Sequence, residues 1–316
     1  MHETKKRRRE LKRQIRGFAW ILNAQHLLLL FVVIAYAIGS ALAVVAEHGT
    51  RANLMHLMTK MEASGWPMIL AVVFAIIPVI IFRRDKFFTH DLAVRNKKIT
   101  IKVFLIALVV VLGVSTVLGL LRYPTDALLH AIGFTAKPSE QVLDGSTTIS
   151  MLVYACVIAP IFEEAMYRGF VLRSLERFGS FFAIFTSALL FGLMHENIIQ
   201  FPYAFGIGLI FGYLAKTYSI RLTILLHIAN NSLSELFSDF VPSSGALGTS
   251  LNLAFSIVPV LLAIWIIWTY RQPIRDWFRT NRPSRPIFIA FYTSVPVILL
   301  ILINIFNTLV GGISKL

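Results

Sequence analysis

The sequence predicts an all-α, polytopic integral membrane helix bundle with about eight or nine transmembrane helices. Three observations carry that prediction. The chain has 316 residues, of which 57% are hydrophobic and only 15% charged, and its mean hydropathy is +0.73. Its apolar residues fall in blocks of about 17–28, long enough as helices to cross a hydrocarbon core of roughly 30 Å. Its basic residues gather between alternate blocks, the pattern of a chain threaded back and forth through a bilayer.

Taken in order, the spans are expected near 18–46, 66–82, 101–121, 148–166, 181–196, 201–216, 220–238, 250–270 and 287–311. Residues 1–17 precede them as a basic segment, with Lys5-Lys6-Arg7-Arg8-Arg9 at its centre. Positive-inside asymmetry puts this segment in the cytoplasm. Alternation then brings to the same side the loop 83–98, Arg173 and Arg177, Lys216 and Arg221, and the five arginines of 271–285. The loops 47–65, 122–147, 197–200 and 239–249 fall opposite. The first apolar block is long and lacks a small-residue cleavage site, so it reads as a signal anchor. The whole chain is expected to form one integral membrane domain, 1–316, in a cell membrane of bacterial type.

The formal net charge of +14 is explained by this topology, so nucleic acid is not an expected partner; anionic lipid headgroups are. Cys156 is the single cysteine, which excludes an internal disulfide and argues against a cysteine-built metal site. Ser314-Lys315-Leu316 spells a peroxisomal address, read as coincidental because alternation puts that end outside.

Chemistry concentrates in 148–240, where ionisable and amide side chains interrupt four consecutive apolar segments. Residues 160–170 read Pro-Ile-Phe-Glu-Glu-Ala-Met-Tyr-Arg-Gly-Phe. A charge well inside a membrane helix costs several kcal/mol, about 2.5–3.5 on insertion scales. Glu164 and Arg168 are spaced i and i+4 and can pair; Glu163, turned about 100° away, is left free to work. Pro160 removes the N–H that the Cys156 carbonyl would receive in an α-helix and should bend the helix just before the acids.

Phe191-Gly-Leu-Met-His195 ends the next apolar block; Ile199 excludes an H-E-x-x-H zinc motif starting at His195. Phe205-x-x-Gly208-x-x-x-Gly212 offers a small-residue face for close helix packing. His227 and Asn231 share one face of the following segment. Gly179 is the expected hairpin tip, and Glu163 and His195 each lie 16 residues from it, roughly 24 Å along their helices. His227 and Asn231 lie at a similar depth beyond Arg221. Three helices thus deliver polar groups to one layer. Gln25 and His26 in the first span are read as partners in helix–helix hydrogen bonds.

The ordered set Glu163-Glu164-x-x-x-Arg168, Phe191-x-x-x-His195, Phe205-x-x-Gly208-x-x-x-Gly212 and His227-x-x-x-Asn231 resembles the CPBP family of intramembrane proteases. That family includes the Rce1-like CAAX prenyl proteases and bacterial proteins linked to bacteriocin self-immunity. The resemblance makes 148–240 the catalytic helical core and implies an intramembrane endopeptidase acting on a membrane-associated protein or peptide. By it, Glu163 is the general base for an attacking water, His195 assists, and His227 and Asn231 stabilise the oxyanion, with Glu164 and Arg168 orienting the helix. The family has also been described as metalloproteases, in which case Glu163, His195 and His227 would ligate Zn2+. The cofactor is thus none or Zn2+, and the residues leave both open. A different class of reading is a non-catalytic membrane scaffold or immunity protein that binds a sensor kinase, transporter or bacteriocin receptor. A proton-coupled transporter is disfavoured by the lack of repeated halves.

Overall fold

The computed structural model describes residues 2–46, 49–141, 148–242 and 244–316. Its long helices are α1 (His2–Ala46), α2 (Arg51–Ala63), α3 (Trp66–Arg83), α4 (Ile101–Gly119), α5 (Arg122–Ala131) and α6 (Ile149–Phe178). They continue with α7 (Ser180–Leu193), α8 (Gln200–Thr217), α9 (Ile220–Phe240), α10 (Gly245–Thr269), α11 (Arg271–Thr280), α12 (Arg285–Tyr292) and α13 (Val295–Gly312). Among the described residues the only paired strands are β1 (Phe134–Thr135) and β2 (Ser314–Lys315), antiparallel to each other.

This is the all-α membrane bundle expected, with a helix at each of the nine predicted spans. Among the described residues six stretches are long and apolar enough to cross a membrane: Lys12–Ala46, Trp66–Arg83, Ile101–Ala131, Ile149–Phe178, Gly245–Thr269 and Val295–Gly312. The other three, α7, α8 and α9, are short or carry polar residues, because they build the centre rather than face lipid. Boundaries moved for physical reasons. The fourth span runs on to Phe178 instead of stopping near 166, since its charged residues are paired inside the protein. The last span is broken between Tyr292 and Val295, ahead of Pro296.

Lipid-facing and core surfaces separate cleanly on α1. Ile15, Phe18, Ala19 and Leu22 are buried, whereas Phe31, Ile34, Ile38 and Leu42 stand exposed. In a bilayer such exposure carries no hydrophobic penalty, so helix association rests on close packing and hydrogen bonds. Asn23 supplies one such bond, donating from Nδ2 to the Pro296 carbonyl of α13 at 2.9 Å. Small residues supply the packing. A Cβ on Gly208 would lie 3.1 Å from Ala188, and one on Gly212 would lie 3.0 Å from Ile184. The α7–α8 contact therefore uses the small-residue face read from the sequence. Gly113 likewise lets α4 meet α10, where a Cβ would stand 2.6 Å from that of Ala263.

The loops sort into two ends. Arg173 donates to Glu176 at 3.0 Å, Lys216 reaches the same carboxylate at 3.3 Å, and the Asn96 N–H donates to the Tyr218 carbonyl at 2.8 Å. These three basic loops share one end, as alternation requires. At the other end Asn197 donates to the Ser139 carbonyl at 2.8 Å, and Ser139 Oγ to that of Gly312 at 2.9 Å. Gly179, at φ +121°, is the turn between α6 and α7. The two ends are thus consistent with the predicted threading.

Candidate active site

The site begins with α6, which is not a uniform α-helix. It widens over Tyr154–Ile158 and again over Ala165–Val171, on either side of the two glutamates. In the first wide turn the Ala159 N–H donates to Tyr154 O, five residues back. Pro160 explains the place, because a proline cannot continue the four-residue ladder. The carbonyl it leaves without a backbone donor is therefore that of Ala155, not of Cys156 as the sequence implied, since the register has slipped by one residue.

Glu164 and Arg168 form the expected pair, with Nη1 3.0 Å from Oε1 and both side chains at 0% exposure. The guanidinium lies between two aromatic faces, 4.1 Å from the ring centroid of Phe191 and 5.4 Å from that of Phe211. A desolvated cation–π contact of this kind contributes about 2 kcal/mol. Glu164 also has a partner the sequence did not reveal. His227 Nδ1 lies 3.1 Å from its Oε1 and donates to it. The same ring turns its Nε2 toward Glu163, 3.7 Å from Oε2. Glu163 keeps 17% of its side-chain exposure, so the two adjacent acids are divided as their angular separation predicts, one locked and one open.

His195 lies just past the end of α7, where Glu196 turns the chain at φ +50°. Its Nδ1 is 2.8 Å from the Phe191 carbonyl. A carbonyl only accepts, so Nδ1 bears the proton and Nε2 of the neutral ring is left as an acceptor. Phe191 connects the histidines, with ring centroids 4.9 Å from His195 and 6.0 Å from His227. His195 lies within electrostatic reach of both Glu163 and His227.

Asn231 faces α6, its Nδ2 donating to Ala155 O at 2.9 Å and its Oδ1 accepting from Asn230 Nδ2 at 3.2 Å. Asn230 extends the network, donating to Tyr203 Oη at 2.8 Å and accepting from Ser115 Oγ at 3.3 Å. Neither Tyr203 nor Ser115 stands out in the sequence, and only the adjacency of Asn230 to Asn231 pointed there. His26 belongs elsewhere. Its Nε2 lies 3.4 Å from the carboxylate of Glu196, in the turn past α7, and Asn307 of α13 donates to the same carboxylate at 2.7 Å; this is a contact with a loop residue and not the helix–helix hydrogen bond expected.

Zinc is the alternative that these positions bear on directly. Among the described residues no group of three His, Cys, Asp or Glu side chains is arranged to hold a metal ion. The donors as placed do not form a zinc cage, and the metalloprotease description has no support here.

Residues 145–233 match the model of the Type II CAAX prenyl endopeptidase Rce1-like family. A protein of Bacillus subtilis (strain 168) named "Putative membrane peptidase YdiL" is 26% identical over 107 residues, covering 33% of this chain and 44% of that relative. The chain thus spans less than half the length of the curated relative it matches. No solved structure matches it. The matched segment contains every residue of the cluster around Glu163, so over residues 145–233 the chain is similar to the Rce1-like CAAX-type membrane proteases.

Proposed function

We propose that this protein is an intramembrane endopeptidase in which Glu163 activates the water that hydrolyses a peptide bond. One observation carries the reading: of two adjacent glutamates, Glu164 is fully buried and paired, while Glu163 is open beside His227. A water between Glu163 and His195 Nε2 gives one hydrogen to each acceptor and aims a lone pair at the scissile carbonyl. Its oxygen bonds to the carbonyl carbon as Glu163 takes its proton. The oxyanion is met by the remaining amide N–H of Asn231 and by the ring of His227, which Glu164 holds in place. The proton on Glu163 then passes to the leaving nitrogen as the C–N bond breaks, giving an amine and a carboxylic acid, and the acid gives its remaining proton to His195 Nε2 to leave as the carboxylate.

The scheme runs without a metal ion. The substrate is a membrane-associated protein or peptide cut within the bilayer. The chain sits in a bacterial plasma membrane with its N-terminus in the cytoplasm, the orientation its basic loops favour. The test is a comparison of membrane-derived peptides from cells carrying the wild type and Glu163→Gln. New peptide ends that vanish in the variant support the reading. Identical peptide profiles, with the same phenotype in both strains, reject it in favour of a scaffold.

A further inference from the structure

The two widened turns of α6 each take a hydrogen bond from a side chain on a neighbouring core helix. In the first, the wide register sends the Ala159 N–H to Tyr154 O, so the next rung would run from residue 160 to Ala155 O. Pro160 has no N–H to give. Asn231 of α9 supplies the missing donor, Nδ2 to Ala155 O at 2.9 Å. In the second, Tyr167 O takes the N–H of Leu172, five residues on, and also Ser187 Oγ of α7 at 2.6 Å. Ser187 is fully buried and lies one turn before Phe191 on the same stripe of α7.

A widened turn holds one extra residue, and collapse to the α register would rotate the remainder of the helix by about 100°. Collapse of the first would carry Glu163 off the face that meets His227, and collapse of the second would turn the stretch beyond it relative to the acids, and with it the contact that α6 makes with α7. We propose that Asn231 and Ser187 are positioning residues, Asn231 in place of a missing backbone donor and Ser187 as a second donor beside one, that hold both turns wide and so fix where Glu163 points. Nothing in the pattern of motifs assigns Ser187 a role. For Asn231 the role is additional to any contact with substrate. The inference rests on the reading of Glu163 as the base, but its test does not need proteolysis.

Cys156 is the only cysteine, so a Cys156→Ala background permits a thiol probe at one chosen position. In Glu163→Cys the thiol should react with a water-soluble maleimide, because this side chain faces the open part of the site. Adding Asn231→Ala or Ser187→Ala should slow that reaction roughly tenfold, the effect expected from losing one buried hydrogen bond. Pro160→Ala returns a backbone donor for Ala155 O, so it should restore the rate beside Asn231→Ala and not beside Ser187→Ala. Unchanged labelling in both alanine variants, or rescue of both by Pro160→Ala, would overturn the proposal. Val171→Cys, at a fully buried position, reports unfolding. If Asn231→Ala unfolds, the Pro160→Ala double variant decides: refolding with a restored rate supports the clamp, and failure rejects it. With Glu163 intact and a substrate identified from the membrane-peptide comparison, Ser187→Ala should lower kcat at unchanged KM and Ser187→Thr should keep it. Labelling that behaves as stated in a protein that cuts nothing would defeat the protease reading and leave the clamp standing.

Discussion

Arg168→Met is the perturbation that most directly probes how the membrane tolerates charge in this core. The guanidinium has no access to water, 3.0 Å from the equally buried Glu164. Removing it leaves a carboxylate without its cation, which costs about 3–5 kcal/mol in buried pairs. Loss of the stacking between Phe191 and Phe211 contributes part of this, about 2 kcal/mol. Thermal unfolding of the purified protein in detergent should show the loss. In the double variant Glu164→Met/Arg168→Met the orphaned charge is gone, and most of the stability should return, to within about 1–2 kcal/mol of wild type. Cleavage should not return, because His227 Nδ1 has lost the carboxylate that fixes its ring. A double variant as unstable as the sum of both singles would refute the reasoning. So would an Arg168→Met protein as stable as wild type.

Packing and capping give further expectations. Gly113→Ala should destabilise by about 1–3 kcal/mol, because its Cβ would press on α10; Gly119→Ala, with nothing within 4 Å, should unfold at the wild-type temperature. Asn197 caps α8, its Oδ1 accepting from the N–H groups of Ile199 and Gln200 at 3.0 Å each. Asn197→Ala should therefore cost about 1–2 kcal/mol, read as a lower unfolding temperature in detergent. Prolonged treatment of the purified protein with a transition-metal chelator should leave cleavage unchanged; loss that added Zn2+ reverses would reinstate the metal scheme.

Local relations were legible in the sequence. The Glu164–Arg168 pair follows from i, i+4 spacing, the turn at Gly179 from glycine between basic and apolar blocks, and the α7–α8 contact from Gly208 and Gly212. Depth along the helices brings Glu163, His195 and His227 toward one layer, and the structure places the two histidines around Phe191 with Glu163 beside His227. What the sequence could not show are relations set by backbone register and long-range packing. Pro160 signalled a break, but only the wide turn moves the unserved carbonyl to Ala155 and within reach of Asn231. The bond from His227 to Glu164 spans 63 positions, and no pattern in either helix announces it. Phe211 and Ser187 look like ordinary core residues until Arg168 and the Tyr167 carbonyl are placed beside them.

Glu163, and not its neighbour, is the residue proposed to take the proton from water, and every catalytic step depends on it. The direct measurement is cleavage of an identified substrate by purified protein in liposomes, comparing Glu163→Gln with wild type at equal thermal stability. Glu163→Gln should remain folded and lose cleavage by a factor of about 100 or more, the contribution of a positioned base. A folded Glu163→Gln protein that cuts at the wild-type rate would show that the base lies elsewhere.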